Sequence, residues 1–263
     1  MHDFFPDPSD MLTHADPTRR AQIQMQKPLP KRFYTEVSVT EGEEGHAIHL
    51  DGRPVKTPAK QSLVAPTAQL AELMRDEWAS QVEVIDPRTM PVTRLVNTAI
   101  DGVAADPQAV FEDILRFSSS DALCYRADSP ESLVARQNEK WDPIIDWAAM
   151  KLGARFVLIE GIMPQEQPKE AIAAFAVTLQ KYDTPIELAA LHTVTTLTGS
   201  AILALAFAEG EVSAEEAWAL AHLDEDWTNE HWGTDAEAEH RRAQRLDELR
   251  AATETFLALR PSA

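Results

Sequence analysis

The pattern of hydrophobic and polar positions divides the chain into a short strand-rich region and a long helical region. Between residues 33 and 57, short apolar runs alternate with turns at Glu41–Gly45 and at Asp51-Gly52. An Asp-Gly pair between two such runs is a strong signal for a tight hairpin. The spacing therefore predicts a small antiparallel sheet of three short strands, which begin near Phe33, His46 and Arg53.

From Pro66 onward, apolar residues recur with helical spacing almost to the end of the chain. Thr67 is the predicted cap of the first helix, because a threonine hydroxyl can accept a hydrogen bond from a free amide at a helix start. Further helices are predicted at about 92–102, 107–118, 130–152, 168–181, 185–208, 213–231 and 236–258. Residues 154–162 interrupt this series with a pattern that is typical of a strand.

These elements predict an α+β fold: a small N-terminal α/β domain with an antiparallel sheet, followed by a larger, mainly α-helical domain. Residues 1–27 contain proline and aspartate without sustained periodicity, and are predicted to form an extended or disordered arm. The N-terminal domain is predicted to span residues 28–105. The helical domain is predicted to span residues 106–263.

The stretch from Asp121 to Gly153 carries the clearest local signals. Ser129-Pro130-Glu131 is a typical helix start: serine accepts free amides, proline fits the first position, and glutamate suits the positive end of the dipole. Pro143 then either kinks this helix or opens a second one. The apolar residues on one face predict that the helix packs into the core: Trp141, Ile144, Ile145, Ala148 and Leu152.

The excess of acidic over basic residues makes some kinds of binding partner unfavourable. The chain has 43 acidic and 24 basic residues, a formal net charge of −19. Such a surface repels phosphate backbones and anionic membranes, so nucleic acid is not an expected partner. The uncharged residues 188–208 match the length of a bilayer span, but their polar first half and acidic flanks favour a buried helix. We therefore expect no stable membrane insertion.

Cys124 is the only cysteine and lies in an apolar run. One chain can then form neither a disulfide framework nor a thiolate zinc site, and a buried structural thiol is predicted. The N-terminus, MHDFFPDPSD, lacks the regions of a secretory signal and is too acidic for a transit peptide. A cytoplasmic location in a bacterium is therefore expected, and a monomer is expected.

Motifs for catalysis are missing from the sequence. It contains no GxGxxG, GxxxxGK[ST] or GxSxG pattern, so we predict no catalytic residues and no cofactor. The alternative is a metal-dependent hydrolase that uses the acids and histidines between His222 and His240. The HExxH spacing of a zinc helix is absent, however, and the two Glu-His pairs at 230–231 and 239–240 can meet only if the chain turns back, for instance at Gly233. A solvated acidic helix end is the simpler interpretation, and no metal ligand is predicted.

The same segment is a candidate protein-binding surface. Trp218, Trp227 and Trp232 lie within or beside an acidic run, and tryptophan among carboxylates can anchor a basic, partly apolar partner. Alternatively, the indoles pack against the core while the acids face water. The candidate partner-binding residues in this segment are Asp224, Glu225, Trp227, Trp232, Gly233, Asp235, Glu237 and Glu239.

Six short motifs in order give the chain a family resemblance. They are KRFY at 31–34, DGRPVKTP at 51–58, EWASQ at 77–81, MPVTRLVNTAID at 90–101, CYR at 124–126 with WDPIIDW at 141–147, and Trp232-Gly233 with the acids that follow. Together they resemble the assembly chaperones of the F1 ATP synthase, the family that handles the alpha subunit, in a bacterial form.

This resemblance implies a chaperone rather than an enzyme. Members of the family bind the unassembled alpha subunit, prevent its aggregation and release it as the F1 hexamer forms, so this subunit is the expected partner. The family's critical acid follows the Trp-Gly pair, and Glu237 matches it best. The register differs by one residue from the mitochondrial pattern, which keeps Asp235 and Glu239 as candidates. Trp78 matches a further important position, where the tryptophan acts through partner contact or through stability alone.

Overall fold

The computed structural model describes residues 28–160 and 165–260. Within these residues the chain divides into two compact units, residues 28–105 with 257–260, and residues 106–256. The first unit contains an antiparallel sheet and the second is mainly helical, which confirms the predicted α+β class. The predicted arm, residues 1–27, lies outside the described residues.

Four strands form the sheet of the first unit: β1 (Val37–Gly42), β2 (Gly45–Leu50), β3 (Arg53–Pro54) and β4 (Val64–Ala65). β1, β3 and β4 each pair antiparallel with β2. β1 starts later than predicted and β3 ends earlier, while β4 was not predicted because two residues carry no periodicity. Gly45 is required where β4 approaches, since a Cβ there would lie 2.5 Å from the Ala65 carbonyl oxygen.

The predicted Asp-Gly hairpin joins β2 to β3. Asp51 and Gly52 have φ angles of 48° and 75°, the left-handed pair that a tight two-residue turn requires. The Asp51 carboxylate also accepts hydrogen bonds from the Thr35 and Glu36 amides, at 3.1 and 2.8 Å. These backbone hydrogen bonds lower the pKa of Asp51 and fix the turn against the start of β1.

Two helices complete the first unit, α1 (Ala68–Ser80) and α2 (Pro91–Asp101). Thr67 caps α1 as predicted. α2 has no side-chain cap of its own; instead the Glu77 carboxylate, from α1, accepts hydrogen bonds from the Val92 and Thr93 amides at 2.7 Å each. Glu77 therefore supplies the negative charge that the positive end of α2 favours, while its burial raises its pKa.

In the described part of the second unit, the chain forms eight helices. They are α3 (Pro107–Ser119), α4 (Glu131–Trp147), α5 (Lys169–Leu179), α6 (Pro185–Thr198), α7 (Ala201–Ala208), α8 (Ala214–Ala221), α9 (Leu223–Trp232) and α10 (Ala236–Ala258). A turn of π-helix, Ala148–Leu152, follows α4. In the described part of the strand predicted at 154–162, residues 154–160, only Ile159–Glu160 form a strand, β6, which pairs parallel with β5 (Tyr125–Arg126). Residues 161 and 162 lie outside the described residues.

Three details of the helices differ from the prediction. Residues 185–208 form two helices rather than one, because Gly199 has φ 68° and Ser200 Oγ then caps α7 by accepting from the Leu203 amide at 3.0 Å. Residues 213–231 are likewise divided at His222. The apolar pattern runs through both breaks and does not reveal them. The α4 start lacks the predicted serine cap, since the Ser129 hydroxyl donates to the Asp128 carboxylate instead.

α4 otherwise follows the prediction. Pro143 lies inside one continuous helix, and Trp141, Ile144, Ile145 and Ala148 are all buried. Leu152 is only partly buried. α10 also has the predicted limits, but its last residues, from Leu257, belong to the first unit, where the Thr67 hydroxyl donates to the Ala258 carbonyl at 2.7 Å. The sequence pattern does not predict this grouping.

The core of the second unit is built around α7, in which all eight residues are buried. Asp121, also fully buried, accepts hydrogen bonds from the Leu123 amide at 3.1 Å and from the Ile202 amide at 2.9 Å, and so joins the start of α7 to the loop after α3. Cys124 is buried as predicted, and burial raises the pKa of its thiol. Among the helices of residues 28–160 and 165–260, none combines the length and apolar character needed to cross a bilayer.

Candidate functional site

The predicted binding segment forms a helical hairpin. We call residues 223–248, which comprise α9 and the first half of α10, the acidic hairpin. Gly233 ends α9 with φ 86° and ψ 172°, a conformation that glycine adopts readily, and this confirms the predicted turn. Asp235 caps α10 by accepting from the Ala238 amide at 2.9 Å. The two helices are held together where Arg242 of α10 pairs with Asp226 of α9 at 2.5 Å.

The three tryptophans of this region differ in how far their side chains are buried. Trp218, on α8, is only 7% exposed and packs on the His222 ring, with ring centroids 3.7 Å apart. Trp227 is partly exposed and stacks on His231 at 4.0 Å. Trp232, at the tip of the hairpin, is 82% exposed. Each alternative therefore applies to a different residue. Trp218 packs in the core, whereas Trp232 presents its ring to the surface.

The acids of the hairpin, except the partly buried Asp226, are exposed, and they differ in their contacts. Asp224 accepts from the Gln137 amide at 2.8 Å, and Glu237 pairs with Arg241, one turn further along α10, at 2.5 Å. Glu225 and Glu239 are also exposed. None of these four side chains is buried, so each can meet a partner; Asp235 is exposed as well but is needed as the helix cap.

A cleft of about 370 Å³ lies between α4, α9 and α10. Five carboxylates line it, against two guanidinium groups, those of Arg136 and Arg242. The carboxylates belong to Glu225, Asp226, Glu230, Asp235 and Glu239. Three of the predicted acids, Glu225, Asp235 and Glu239, therefore share one cleft, whereas Glu237 lies outside its lining.

The helix that carries the family signature, α4, holds this hairpin in place. Gln137 is almost fully buried and bridges two elements: its Oε1 accepts from the Ala127 amide at 2.9 Å and its Nε2 donates to Asp224 at 2.8 Å. Trp141 Nε1 donates to the carbonyl of Leu220, at the end of α8, at 2.9 Å. Gln137 and Trp141 of α4 are therefore structural, and Gln137 fixes the position of Asp224 at the start of the hairpin.

An ion pair adds to this attachment. Arg136 of α4 donates to both carboxylate oxygens of Glu230 of α9, at 2.6 and 2.9 Å. Hydrogen bonds from the Arg136 guanidinium lower the pKa of Glu230. The sequence analysis names Glu230 only as part of the acid and histidine cluster and does not predict its pairing with Arg136, because the two residues are far apart in the chain and no local pattern relates them.

The structure gives no support to the metal-dependent hydrolase. Within the two described ranges, no three His, Cys, Asp or Glu side chains approach one another closely enough to hold a metal ion. The ring nitrogens of His222 and His231 instead bond to backbone carbonyls one turn earlier, those of Trp218 at 2.9 Å and Trp227 at 2.7 Å.

Trp78 requires a correction. The resemblance suggests Trp78 as a partner-binding residue, but its side chain is fully buried in the first unit. The ring packs edge-on against Tyr34, with centroids 5.9 Å apart, and the Tyr34 hydroxyl donates to the Trp78 carbonyl at 2.7 Å. This burial favours the stability alternative for Trp78 over direct contact with a partner.

Comparisons with known proteins agree with the sequence signature. The family model described as "ATP12 chaperone protein" matches residues 31–149. The crystal structure of Atp12 from Paracoccus denitrificans is similar to this chain with 41% identity and a TM-score of 0.82, over 88% of this chain and 99% of that one. A candidate chaperone from Agrobacterium tumefaciens is similar with 68% identity and a TM-score of 0.87, over 96% of this chain and 94% of that one.

A mitochondrial relative shares the likeness over most of its length. The atp12 protein of Schizosaccharomyces pombe is 25% identical over 229 residues, which are 82% of this chain and 78% of that protein. The family signature, the coverage and the shared fold agree with one another. The chain belongs to the ATP12 family, which is a family of chaperones rather than of enzymes.

Proposed function

We propose that the chain is an assembly chaperone of the F1 ATP synthase that binds the unassembled alpha subunit in the bacterial cytoplasm. It prevents aggregation of this subunit and releases it as the F1 hexamer forms. The observation that carries the proposal is an exposed tryptophan at the tip of an acidic hairpin, in a chain of the ATP12 family.

The hairpin chemistry supports a client of this kind. A subunit that has not yet met its neighbours exposes apolar surface, and such surface aggregates. Trp232 offers an apolar anchor, and the surrounding carboxylates offer contacts to basic groups. Exposed ion pairs are individually weak, so a complex of this kind can yield to the subunit's permanent neighbours.

Co-expression tests the proposal. The alpha subunit of the same organism, produced with and without this chain, should be soluble and recovered in a stoichiometric complex only when the chain is present. The beta subunit in the same assay is the specificity control, because a general acidic scaffold would keep both subunits soluble. Equal aggregation of the alpha subunit with and without the chain would refute the proposal.

The binding surface is tested separately with Glu237→Lys. Since Glu237 is exposed and pairs only one turn along its own helix, the melting temperature should stay nearly unchanged while the yield of soluble alpha subunit falls. Glu254→Lys is the matched control, because Glu254 is exposed on the same helix but lies outside the acidic hairpin. A large fall in melting temperature would make Glu237 structural instead.

Glu239→Lys and Trp232→Ala complete the set. Glu239 lines the cleft and Glu237 does not, so the two charge reversals tell which acid contacts the client. Loss of rescue in Trp232→Ala is expected if the exposed ring is the anchor. Normal rescue in all three variants would place the client-binding surface elsewhere on the chain.

A further inference from the structure

The acidic hairpin is attached to the helical unit without a core of its own. No residue from Asp224 to Glu248 is buried, while Leu223 and Leu249, just at its ends, are 4% and 0% exposed. Its hydrogen bonds and ion pairs to neighbouring helices are joined by a ring contact, the Arg242 guanidinium over Trp218 of α8 at 6.0 Å. Its apolar side chains Trp227, Ala238 and Leu246 are only partly buried, so apolar burial stabilises this segment less than the rest of the helical unit.

Three polar contacts connect the hairpin to α4 and α6. Gln137 donates to Asp224 at 2.8 Å and Arg136 pairs with Glu230, both on the α4 side. On the α6 side, Arg245 donates to the Leu197 carbonyl at 2.8 Å. The pair of Arg136 and Glu230 is the one of the three in which both groups carry a full charge, and its side chains are 34% and 54% exposed.

We propose that the acidic hairpin opens from α4 as one local unit while the rest of the helical unit stays folded, with Arg136 and Glu230 as the latch. Local opening occurs where few apolar contacts are buried, and an exposed ion pair contributes little against it. α9 has a natural hinge at His222, where the helical path between α8 and α9 is interrupted. Opening there, with local unfolding of α10 ahead of the buried Leu249, separates α4 from α9, which line the cleft.

This device does not depend on the identity of the client. It concerns the free chain, in which the two walls separate and close again without a partner. The Arg242 pair with Asp226 joins α9 to α10, so the two helices are expected to open together rather than one after the other.

Hydrogen exchange of the full-length chain, followed by mass spectrometry, tests the device. Amides of residues 223–248 should exchange at least about 100-fold faster than amides of α7, because they open without global unfolding. Arg136→Ala should speed the exchange of α9 a further threefold to fivefold, roughly the effect of losing one exposed ion pair. Exchange in α7 and the melting temperature should not change.

Two control experiments test whether the ion pair of Arg136 and Glu230 is what holds the hairpin against α4. Arg116→Ala removes an exposed arginine that pairs with Asp113 on α3, and it should leave hairpin exchange unchanged. The exchanged pair Arg136→Glu with Glu230→Arg should restore much of the protection that each single change removes.

Two results would overturn the proposal. The hairpin is part of the global unit if its amides are protected as strongly as those of α7. Arg136 is not the latch if its removal leaves hairpin exchange at the wild-type rate. Since no alpha subunit is present in this experiment, either result leaves the proposed client untouched.

Discussion

α7 and the acidic hairpin are helical segments of the same unit with opposite surroundings. Every residue of α7 is buried, and none is charged. In the hairpin no residue from Asp224 to Glu248 is buried, and carboxylates predominate around its cleft. The difference separates two tasks: α7 holds the unit together, whereas the hairpin provides polar and aromatic surface at little cost to stability.

Carboxylates of the two regions also differ, since their pKa values are shifted in opposite directions. Asp121, buried beside α7, has its pKa raised to about 6, first because burial disfavours its charge. Glu230, exposed on the hairpin, has its pKa lowered by hydrogen bonds from Arg136. A buried carboxylate of this kind fixes backbone amides, while the exposed ones are available to exchange one cationic partner for another.

The largest effect is expected when the same side chain is shortened in both regions. Leu203→Ala in α7 should lower the free energy of unfolding by about 3 kcal/mol, since it leaves a cavity in a closed core. Leu246→Ala, at a partly buried position in the hairpin half of α10, should cost clearly less, about 1 kcal/mol. Urea denaturation of the two variants measures both. Similar losses would show that the hairpin is as firmly packed as the core.

A smaller effect is expected from the pH dependence of Asp121. Its pKa in the folded chain, about 6, exceeds its ordinary value of 3.8, so the folded state binds this proton more tightly than the unfolded state. The resulting stabilisation is present below pH 3.8 and is lost as the pH rises through 6. Its size is about 2 kcal/mol between pH 4 and pH 7, to be measured by urea denaturation at several pH values.

Asp121→Asn is the variant that isolates this contribution. The asparagine keeps one acceptor oxygen for the backbone amides but cannot ionise. The fall in the free energy of unfolding between pH 4 and pH 7 should therefore be smaller by about 2 kcal/mol in this variant. An unchanged pH profile in Asp121→Asn would assign the slope to other groups.

Two glycines show how backbone strain should affect the core and the acidic hairpin differently. Gly210, after α7, and Gly233, after α9, have φ angles of 79° and 86°, and an added Cβ would meet no atom within 4 Å at either site. Gly210→Ala should lower global stability by about 1 kcal/mol through backbone strain alone. Gly233→Ala should leave global stability nearly unchanged and instead speed hydrogen exchange in the hairpin. Equal global losses would argue against local opening.

Sequence reasoning found the elements whose signals are local. The Asp51-Gly52 turn, the Thr67 cap, the Gly233 turn and the limits of α10 all depend on neighbouring residues, and the structure contains each of them. The break at Gly199 was missed because the apolar pattern continues across it. The cap of α2 was missed for another reason: Glu77, which provides it, belongs to a different helix.

The candidate site was only partly predictable for the same physical reason. The acids and Trp232 lie in one continuous segment and could be selected from composition and resemblance. Arg136 and Gln137, which hold that segment, come from a helix that is distant in the chain. Trp78 shows the opposite difficulty: the resemblance suggests a partner contact, whereas the side chain is fully buried, which local sequence does not reveal.

The smallest effect on stability is expected from Trp232→Ala. The ring is 82% exposed, so its removal should change the free energy of unfolding by no more than about 0.5 kcal/mol. Four of the six tryptophans are buried and Trp227 is only partly exposed, so Trp232 should dominate the emission that acrylamide quenches. The quenchable fraction should therefore fall in Trp232→Ala but not in Trp218→Phe, which alters a buried ring. If quenching is undiminished in Trp232→Ala, the tip of the hairpin is covered in the free chain and cannot be the open anchor that the proposed function requires.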